Sequence, residues 1–193
     1  MKEILFILSL IFINKNIFSR TKDSCYAGVY LTQDDFLKNR LSYKINKNVK
    51  GYHFGFPAPA DWKLEIKIVR PDSTIIFKQG TVYGYSECGK VFRYSAGGEL
   101  YAPEDFYKIE EIKGLIIYTS VFNGGDEYFY SLNLTTQIHR LKIKNIEKDF
   151  KDQPQFVKAV KCLNKQGERG NIEKRDGERH FIINKIYDKM IKK

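Results

Sequence analysis

Short runs in which apolar and polar residues alternate, separated by turn-forming residues, constrain the fold of this 193-residue chain most. In residues 64–77, apolar side chains at every second position flank Pro71 and Asp72, which suit the centre of a type I turn. Two further β-rich runs flank Asn123-Gly124-Gly125, residues that accept positive φ. A period of two residues is typical of strands that bury one face, so the pattern predicts consecutive antiparallel hairpins.

Residues 81–95 predict another hairpin, with two possible registers. A two-residue turn at Cys88-Gly89 would pair Tyr85 with Phe92, but it requires positive φ at both turn residues. A three-residue loop at Glu87-Cys88-Gly89 would pair Tyr85 with Val91 and needs positive φ only at Gly89. The sequence alone favours the three-residue loop, because glycine adopts that conformation at little cost.

The segment 27–45 predicts a strand, a short helical turn and a second strand. Thr32 is a suitable N-cap, and Asp34 and Asp35 would lie in the first turn, where acidic groups favour the helix dipole. Phe36 and Leu37 are expected on the buried side of this turn.

Helical periodicity replaces the alternation after residue 145. Pro154 suits the first position of a helix whose apolar stripe includes Phe156 and Val160, and Cys162 falls outside the centre of that stripe, partly exposed. The charged stretch 165–179 reads as a linker, and residues 180–193 predict an amphipathic C-terminal helix. This last helix could bind a membrane surface or a partner, although docking on its own domain is the simpler interpretation.

These patterns predict an α+β fold. The expected architecture is a mainly antiparallel β-sheet of roughly seven to nine strands, curved or partly barrel-like, with the helical region 146–163 packed on it. With 13 Tyr and 14 Phe against one Trp, the aromatic content favours strands, where flat rings pack well. A single β-rich domain is expected over residues 25–164.

The N-terminal residues 1–19 have the pattern of a secretory signal peptide. Lys2 precedes an apolar run from Ile4 to Ile13, which is too short for a hydrocarbon core that needs about 20 residues. We therefore expect an exported protein of the periplasm, the cell surface or the extracellular medium. An uncleaved anchor and a buried N-terminal strand are the alternatives. No transmembrane span is expected in the mature chain.

The formal charge is +10, and residues 140–165 hold eight basic residues against three acidic ones. For an exported protein the natural partners of such a surface are anionic envelope components, or an acidic protein partner. Nucleic acid is the first candidate for a basic cytosolic chain, but the signal pattern disfavours it. The alternative is that the excess of lysine and arginine only keeps the chain soluble.

The three cysteines, Cys25, Cys88 and Cys162, fit no metal-binding spacing. An oxidising compartment permits one disulfide among them and leaves one free thiol. The sequence does not choose between the three pairings.

Residues 51–62 form a loop rich in glycine, proline and aromatic rings. Its candidate ligand surface consists of Tyr52, His53, Phe54, Phe56 and Trp62. Such rings can line a shallow carbohydrate or peptide groove, but they more often pack onto the core of their own domain.

The chain shows no catalytic motif that can be recognised from spacing. The three histidines form neither an HExxH motif nor a His-x-His pair, so no metal and no cofactor is expected. A Cys88–His139 nucleophile–base pair rests only on the presence of both residue types. The Asn133-Leu134-Thr135 sequon is expected to be accidental in a bacterial exported protein.

Three ordered stretches resemble a family of small exported proteins of the Bacteroidota. They are "GVYLTQDDFLKNRLSY", "YGYSECGKVFRY" and "YFYSLNLTTQIHRLKIKNIEKDF". The resemblance covers about residues 28–163, is poor at 51–62, and implies that the tail after Leu163 is an addition. No activity is established for this family, so no catalytic or binding residue can be transferred.

Two classes of function follow. The favoured one is a non-catalytic binding or structural module of the cell envelope with a basic, aromatic surface. The alternative is a secreted hydrolase-type enzyme whose site forms only in three dimensions.

Overall fold

The computed structural model describes residues 25–55, 65–78, 80–98, 102–120, 127–164, 175–178 and 180–191. These residues form strands and helices in the order β1 (Tyr26–Tyr30), α1 (Gln33–Leu37), β2 (Tyr43–Asn46), β3 (His53–Gly55), β4 (Ile66–Arg70), β5 (Ser73–Phe77), β6 (Gly84–Glu87), β7 (Lys90–Ser95), β8 (Asp105–Lys113), β9 (Leu115–Ser120), β10 (Tyr128–Ser131), β11 (His139–Arg140), α2 (Ile143–Asp149), α3 (Pro154–Asn164) and α4 (Ile182–Met190).

The strands form two antiparallel sheets. The large sheet has eight strands in the order β11-β10-β9-β8-β7-β6-β1-β2, and the small sheet has the order β3-β4-β5. A register shift between Ile109 and Glu111 marks a bulge in β8, and bulges bend a strand and increase its twist. The predicted α+β fold, with a mainly antiparallel curved sheet and C-terminal helices, is confirmed.

One face of the large sheet carries two hydrophobic clusters. In the first, Tyr85 and Phe106 of the large sheet pack with Ile66 and Ile68 of the small sheet. The second joins β9 and β10 to the C-terminal helices, and its most buried members are Leu115, Ile117, Phe156, Val160, Phe181 and Ile183. Together the small sheet and the helices therefore cover this face.

The opposite face is covered by α1 and by residues 132–138. Phe36 of α1 packs with Tyr30 and Val91, and Ile138 packs with Tyr118 in a neighbouring cluster. Because both faces of β7 are covered, the consecutive residues Val91, Phe92 and Arg93 are all buried although their side chains point alternately to the two faces.

The β6–β7 hairpin has the register that the sequence disfavoured. Tyr85 pairs with Phe92, and φ is positive at both Cys88 (48°) and Gly89 (77°), so the expected three-residue loop is wrong. The disulfide between Cys25 and Cys88 supplies the reason, together with a hydrogen bond of 2.8 Å from Cys88 N to Tyr26 O. These links to β1 hold the cysteine in a conformation that an unconstrained cysteine would avoid.

A hairpin between β8 and β9 lies within the β-rich run that precedes Asn123. Lys113 pairs with Leu115 around Gly114, whose φ is +57°. A Cβ at Gly114 would lie 2.7 Å from Cδ1 of Tyr187 in α4. Glycine is therefore required by the turn and by the close approach of α4.

Several local predictions are confirmed. Arg70 pairs with Ser73, which leaves Pro71 and Asp72 as the two turn residues. The Thr32 side chain caps α1 by accepting a hydrogen bond of 3.1 Å from Asp35 N. In α1, however, only Phe36 is buried, and Leu37, expected on the buried side, is 39% exposed.

The C-terminal predictions have mixed outcomes. Helix α3 begins at Pro154 as expected, with Phe156 and Val160 buried and Cys162 exposed. The Asn123–Gly125 turn and the signal segment lie outside the described residues, but Tyr128 pairs with Thr119 in the antiparallel register expected for strands flanking that turn.

Helix α4 docks on its own domain. Asn184 is 1% exposed, accepts from Leu115 N at 2.9 Å and donates to Leu115 O at 3.0 Å. The segment before the helix is also held on the domain. Arg175 forms an antiparallel backbone β-bridge with Phe181, and its guanidinium forms an ion pair of 3.0 Å with Glu110 of β8.

Candidate functional site

The side chain of Arg93 occupies an unusual position on the face of the large sheet that α1 and residues 132–138 cover. It extends from β7, opposite Tyr107 of β8, and is only 6% exposed. Arginine is rarely buried to this extent unless it is paired, so its surroundings define the first candidate site.

Neutral groups hold the guanidinium in place. Its Nη1 donates to the hydroxyl of Tyr118 at 3.1 Å and its Nη2 donates to the carbonyl of Thr136 at 2.6 Å. Longer contacts of 3.5 Å join Nη1 to Ser131 Oγ and Asn133 O. These bonds fasten the segment after β10 onto the sheet.

The same segment is shaped by Asn133, the first residue of the sequon. Its Oδ1 accepts from the backbone nitrogens of Thr135 and Thr136 at 2.8 and 2.9 Å. This Asx-type turn directs the Thr136 carbonyl towards Arg93.

Arg93 has no carboxylate partner among the described residues, and its Nε has no acceptor there. Asp105 extends from the neighbouring strand, but its carboxylate accepts instead from Ser120 Oγ at 2.9 Å and Phe106 N at 2.6 Å. Burial raises the pKa of Asp105, and these two hydrogen bonds partly oppose the shift. Burial also raises the pKa of Tyr118, with Arg93 acting in the opposite direction.

A cleft of about 280 Å³ lies beside Arg93. Its lining residues are Leu31, Gly80, Val82, Tyr83, Arg93, Tyr94, Ser95, Ala96, Gln137 and Ile138. We call it the Arg93 cleft. Its volume is close to the lower end of the range for small-ligand sites, about 300–1,000 Å³.

The hydroxyls of the two tyrosines in the Arg93 cleft are both hydrogen-bonded within the chain. Tyr83 donates its hydroxyl to Leu134 O at 2.7 Å, and Tyr94 donates its hydroxyl to Glu104. Burial, followed by the Glu104 hydrogen bond, raises the pKa of Tyr94. The cleft thus combines one buried cation with walls that are partly apolar and partly polar.

The aromatic surface expected from residues 51–62 is divided in the structure. Phe54 is 7% exposed and its ring centroid lies 5.6 Å from that of Tyr85, so it belongs to the core. Tyr52 packs partly buried against the same cluster, whereas His53 is exposed. Phe56 and Trp62 lie outside the described residues.

The structure assigns the state of all three cysteines. Cys25 and Cys88 form a disulfide with Cα atoms 4.4 Å apart, and Cys162 is a free, exposed thiol. The disulfide removes the thiolate required by the Cys88–His139 hypothesis. The sheet order also separates this pair, because β6 and β11 are five strand spacings apart, about 24 Å.

His139 does have an acidic partner at the sheet edge. Its Nδ1 lies 2.9 Å from Oδ2 of Asp149, and the Tyr130 hydroxyl donates to the same oxygen at 2.6 Å. Burial, then the hydrogen bond to Asp149, raises the pKa of Tyr130. This cluster joins β10 and β11 to the end of α2.

Sequence reasoning did not identify Arg93. The only available signal was an arginine between aromatic residues in a strand, at Phe92-Arg93-Tyr94. A charged residue in such a position is usually assigned to a solvent-exposed face.

In the part of the chain that the structure describes, no group of three His, Cys, Asp or Glu residues could hold a metal ion. Within the same residues, no helix has the length and hydropathy needed to cross a membrane. The chain matches no family model, no curated protein and no solved structure.

Proposed function

We propose that this chain is an exported, disulfide-stabilised, non-catalytic binding module that holds a small ligand in the Arg93 cleft. The observation that carries the proposal is a buried arginine, without a carboxylate partner among the described residues, in the wall of a concave site. Pockets with mainly apolar walls and a few fixed polar groups are the usual form of a ligand site.

A ligand screen by thermal shift tests this proposal. A ligand that binds only the folded chain raises Tm, by an amount that grows with concentration. Ala96 is an exposed residue of the cleft lining, so Ala96→Trp should block the cleft and abolish the shift. Ile76→Trp is the matched control, because Ile76 is 52% exposed on β5, outside the cleft. Hits that stabilise the wild type and both variants equally would contradict binding in the Arg93 cleft.

The disulfide supports export as part of the proposal. Disulfides form and persist in oxidising compartments and are rare in the cytosol. Fractionation of the native host should therefore recover the protein outside the cytoplasm, with Cys25 and Cys88 protected from a thiol-alkylating reagent and Cys162 modified. Recovery from the cytoplasm with all three thiols modified would contradict export.

Exposed lysines support attachment to an anionic envelope surface. In α2, α3 and the residues flanking them, the exposed lysines are Lys142, Lys144, Lys148, Lys151, Lys158 and Lys161. Of these, Lys161 forms an ion pair with Glu147.

Binding to anionic lipid vesicles tests this attachment. The variant Lys144→Gln/Lys148→Gln should bind less tightly than the wild type, and binding should weaken with salt. The control Lys67→Gln/Lys90→Gln removes the same charge from exposed positions of β4 and β7. Equal loss in both variants would show that only net charge matters.

One observation supports the hydrolase alternative: the Asp149 carboxylate lies beside Nδ1 of His139. A carboxylate in this position orients a histidine in many general-base sites. Turnover of ester or amide substrates that disappears in His139→Gln would support it over the binding module. Unchanged turnover in that variant would remove it.

A further inference from the structure

The charge around Arg93 is unbalanced within the described residues. All its hydrogen-bond acceptors, the Tyr118 and Ser131 hydroxyls and two backbone carbonyls, are neutral. A buried positive charge is costly unless an anion offsets it. The missing component of the site is therefore negative.

The cleft matches an anion with a single charge. Among the described residues that line it, Arg93 is the one cation, and the other polar side chains are those of Tyr83, Tyr94, Ser95 and Gln137. A phosphate group carries up to two charges and is usually held by several cations or by a series of backbone N–H groups. A carboxylate carries one charge and forms strong hydrogen bonds with arginine.

The remaining walls indicate what the anionic group is attached to. Leu31, Val82 and Ile138 are apolar, and the ring of Tyr83 has its centroid 5.6 Å from Cζ of Arg93. These surfaces favour an aliphatic or aromatic body next to the charge.

We propose that the Arg93 cleft recognises a carboxylate on a compact apolar group, with Arg93 as its anchor. This inference rests on the proposed binding function and specifies its ligand class. The Nε atom has almost no exposed surface in the unliganded chain, so binding includes a small displacement of the cleft wall. The carboxylate could belong to a free organic acid or to the C-terminus of a peptide, since both present the same group to Arg93.

Isothermal titration calorimetry of the full, oxidised chain separates charge recognition from apolar binding. The probes are 3-phenylpropanoate and its neutral amide, 3-phenylpropanamide. Because a hydrogen bond to a charged group contributes about 1.5–3 kcal/mol, the acid should bind at least about tenfold more tightly than the amide. The tripeptide Ala-Ala-Phe with a free or an amidated C-terminus then distinguishes a peptide source from a free acid.

Substitution of Arg93 tests the anchor. Arg93→Gln removes the charge but keeps donors for the Thr136 carbonyl, and should abolish the preference for the acid while leaving the amide unaffected. Arg175→Gln is the matched control, because Arg175 pairs with Glu110 outside the cleft. If Arg93→Gln does not fold, Ala96→Trp replaces it and should abolish binding of both probes.

Equal binding of acid and amide would overturn carboxylate recognition and leave the binding module intact. Binding of neither probe would also overturn it, and the thermal-shift screen then decides separately whether the Arg93 cleft holds any ligand. An acid preference that survives in Arg93→Gln would overturn the role of Arg93.

Discussion

Removal of the Cys25–Cys88 disulfide should destabilise this domain substantially. The bond ties the residue before β1 to the tip of the β6–β7 hairpin, across a sequence separation of 63 residues. Cys25→Ser/Cys88→Ser removes the link and keeps side chains of similar size. It does not alter the hydrogen bond from the backbone nitrogen of residue 88 to Tyr26 O.

The magnitude follows from the length of the closed loop. In the chain-entropy treatment, a loop of this separation reduces the entropy of the unfolded chain by an amount equivalent to about 4 kcal/mol at 25 °C. A change of 1 kcal/mol shifts Tm by about 2–4 °C in a chain of this size, so the double variant should melt about 8–16 °C lower.

The turn itself provides an internal check. Residue 88 has φ of +48°, and a left-handed conformation costs an ordinary residue about 1–2 kcal/mol. Asparagine tolerates this conformation, and Asn-Gly is the preferred pair in type I′ turns. Cys25→Ser/Cys88→Asn should therefore regain about 1 kcal/mol relative to Cys25→Ser/Cys88→Ser.

Urea denaturation followed by circular dichroism measures all three proteins. The free energies of unfolding should rank wild type first, then the Ser/Asn variant, then the Ser/Ser variant. A Ser/Ser variant within about 1 kcal/mol of the wild type would refute the loop-closure reasoning, since the expected loss is about 4 kcal/mol. A Ser/Asn variant no more stable than the Ser/Ser variant would refute the turn assignment.

Three further predictions concern the docking of α4. Gly114→Ala should cost about 1–3 kcal/mol in urea denaturation, because φ is +57° and the added Cβ would lie 2.7 Å from Tyr187; an unchanged free energy of unfolding would contradict this. Asn184→Leu should cost about 1–3 kcal/mol, since a buried N–H and C=O of β9 lose their partner; protection of that amide from hydrogen exchange equal to wild type would contradict it. The hydrogen bond from Lys185 and two backbone N–H groups lower the pKa of Asp176 from 3.8 to about 2, so the stability that ionised Asp176 gives the fold is present above pH 3.8 and is lost as the pH falls towards 2. The Tm of Asp176→Asn should therefore approach that of the wild type over this interval. A constant difference in Tm from pH 2 to 6 would contradict this.

Local sequence patterns predicted much of the sheet. The β4–β5 hairpin follows from alternating apolar residues around Pro71 and Asp72, and both determinants lie within 12 residues of sequence. Pro154 likewise marks the start of α3. Such determinants act locally, so they can be read without knowledge of the rest of the fold.

Features set by distant contacts could not be predicted in this way. The register at Cys88 depends on its links to the strand that begins at Tyr26, and the break at Gly114 is accompanied by close packing of α4. Arg93 escaped notice because an alternating pattern identifies a buried side chain only when one face of a strand is exposed. Both faces of β7 are covered, so its arginine is buried. The Arg93 cleft is lined by residues that are distant in sequence, so it can be recognised only from the structure.

The most direct test of Arg93 as a ligand anchor is the NMR signal of its own Nε–H group. That group has no hydrogen-bond acceptor among the described residues of the unliganded chain. Titration with 3-phenylpropanoate should move the Nε–H proton signal of Arg93 downfield to saturation, because a charge-assisted hydrogen bond forms, while 3-phenylpropanamide should not. An Nε–H signal that stays in place while backbone signals report bound 3-phenylpropanoate would contradict recognition of a carboxylate by Arg93.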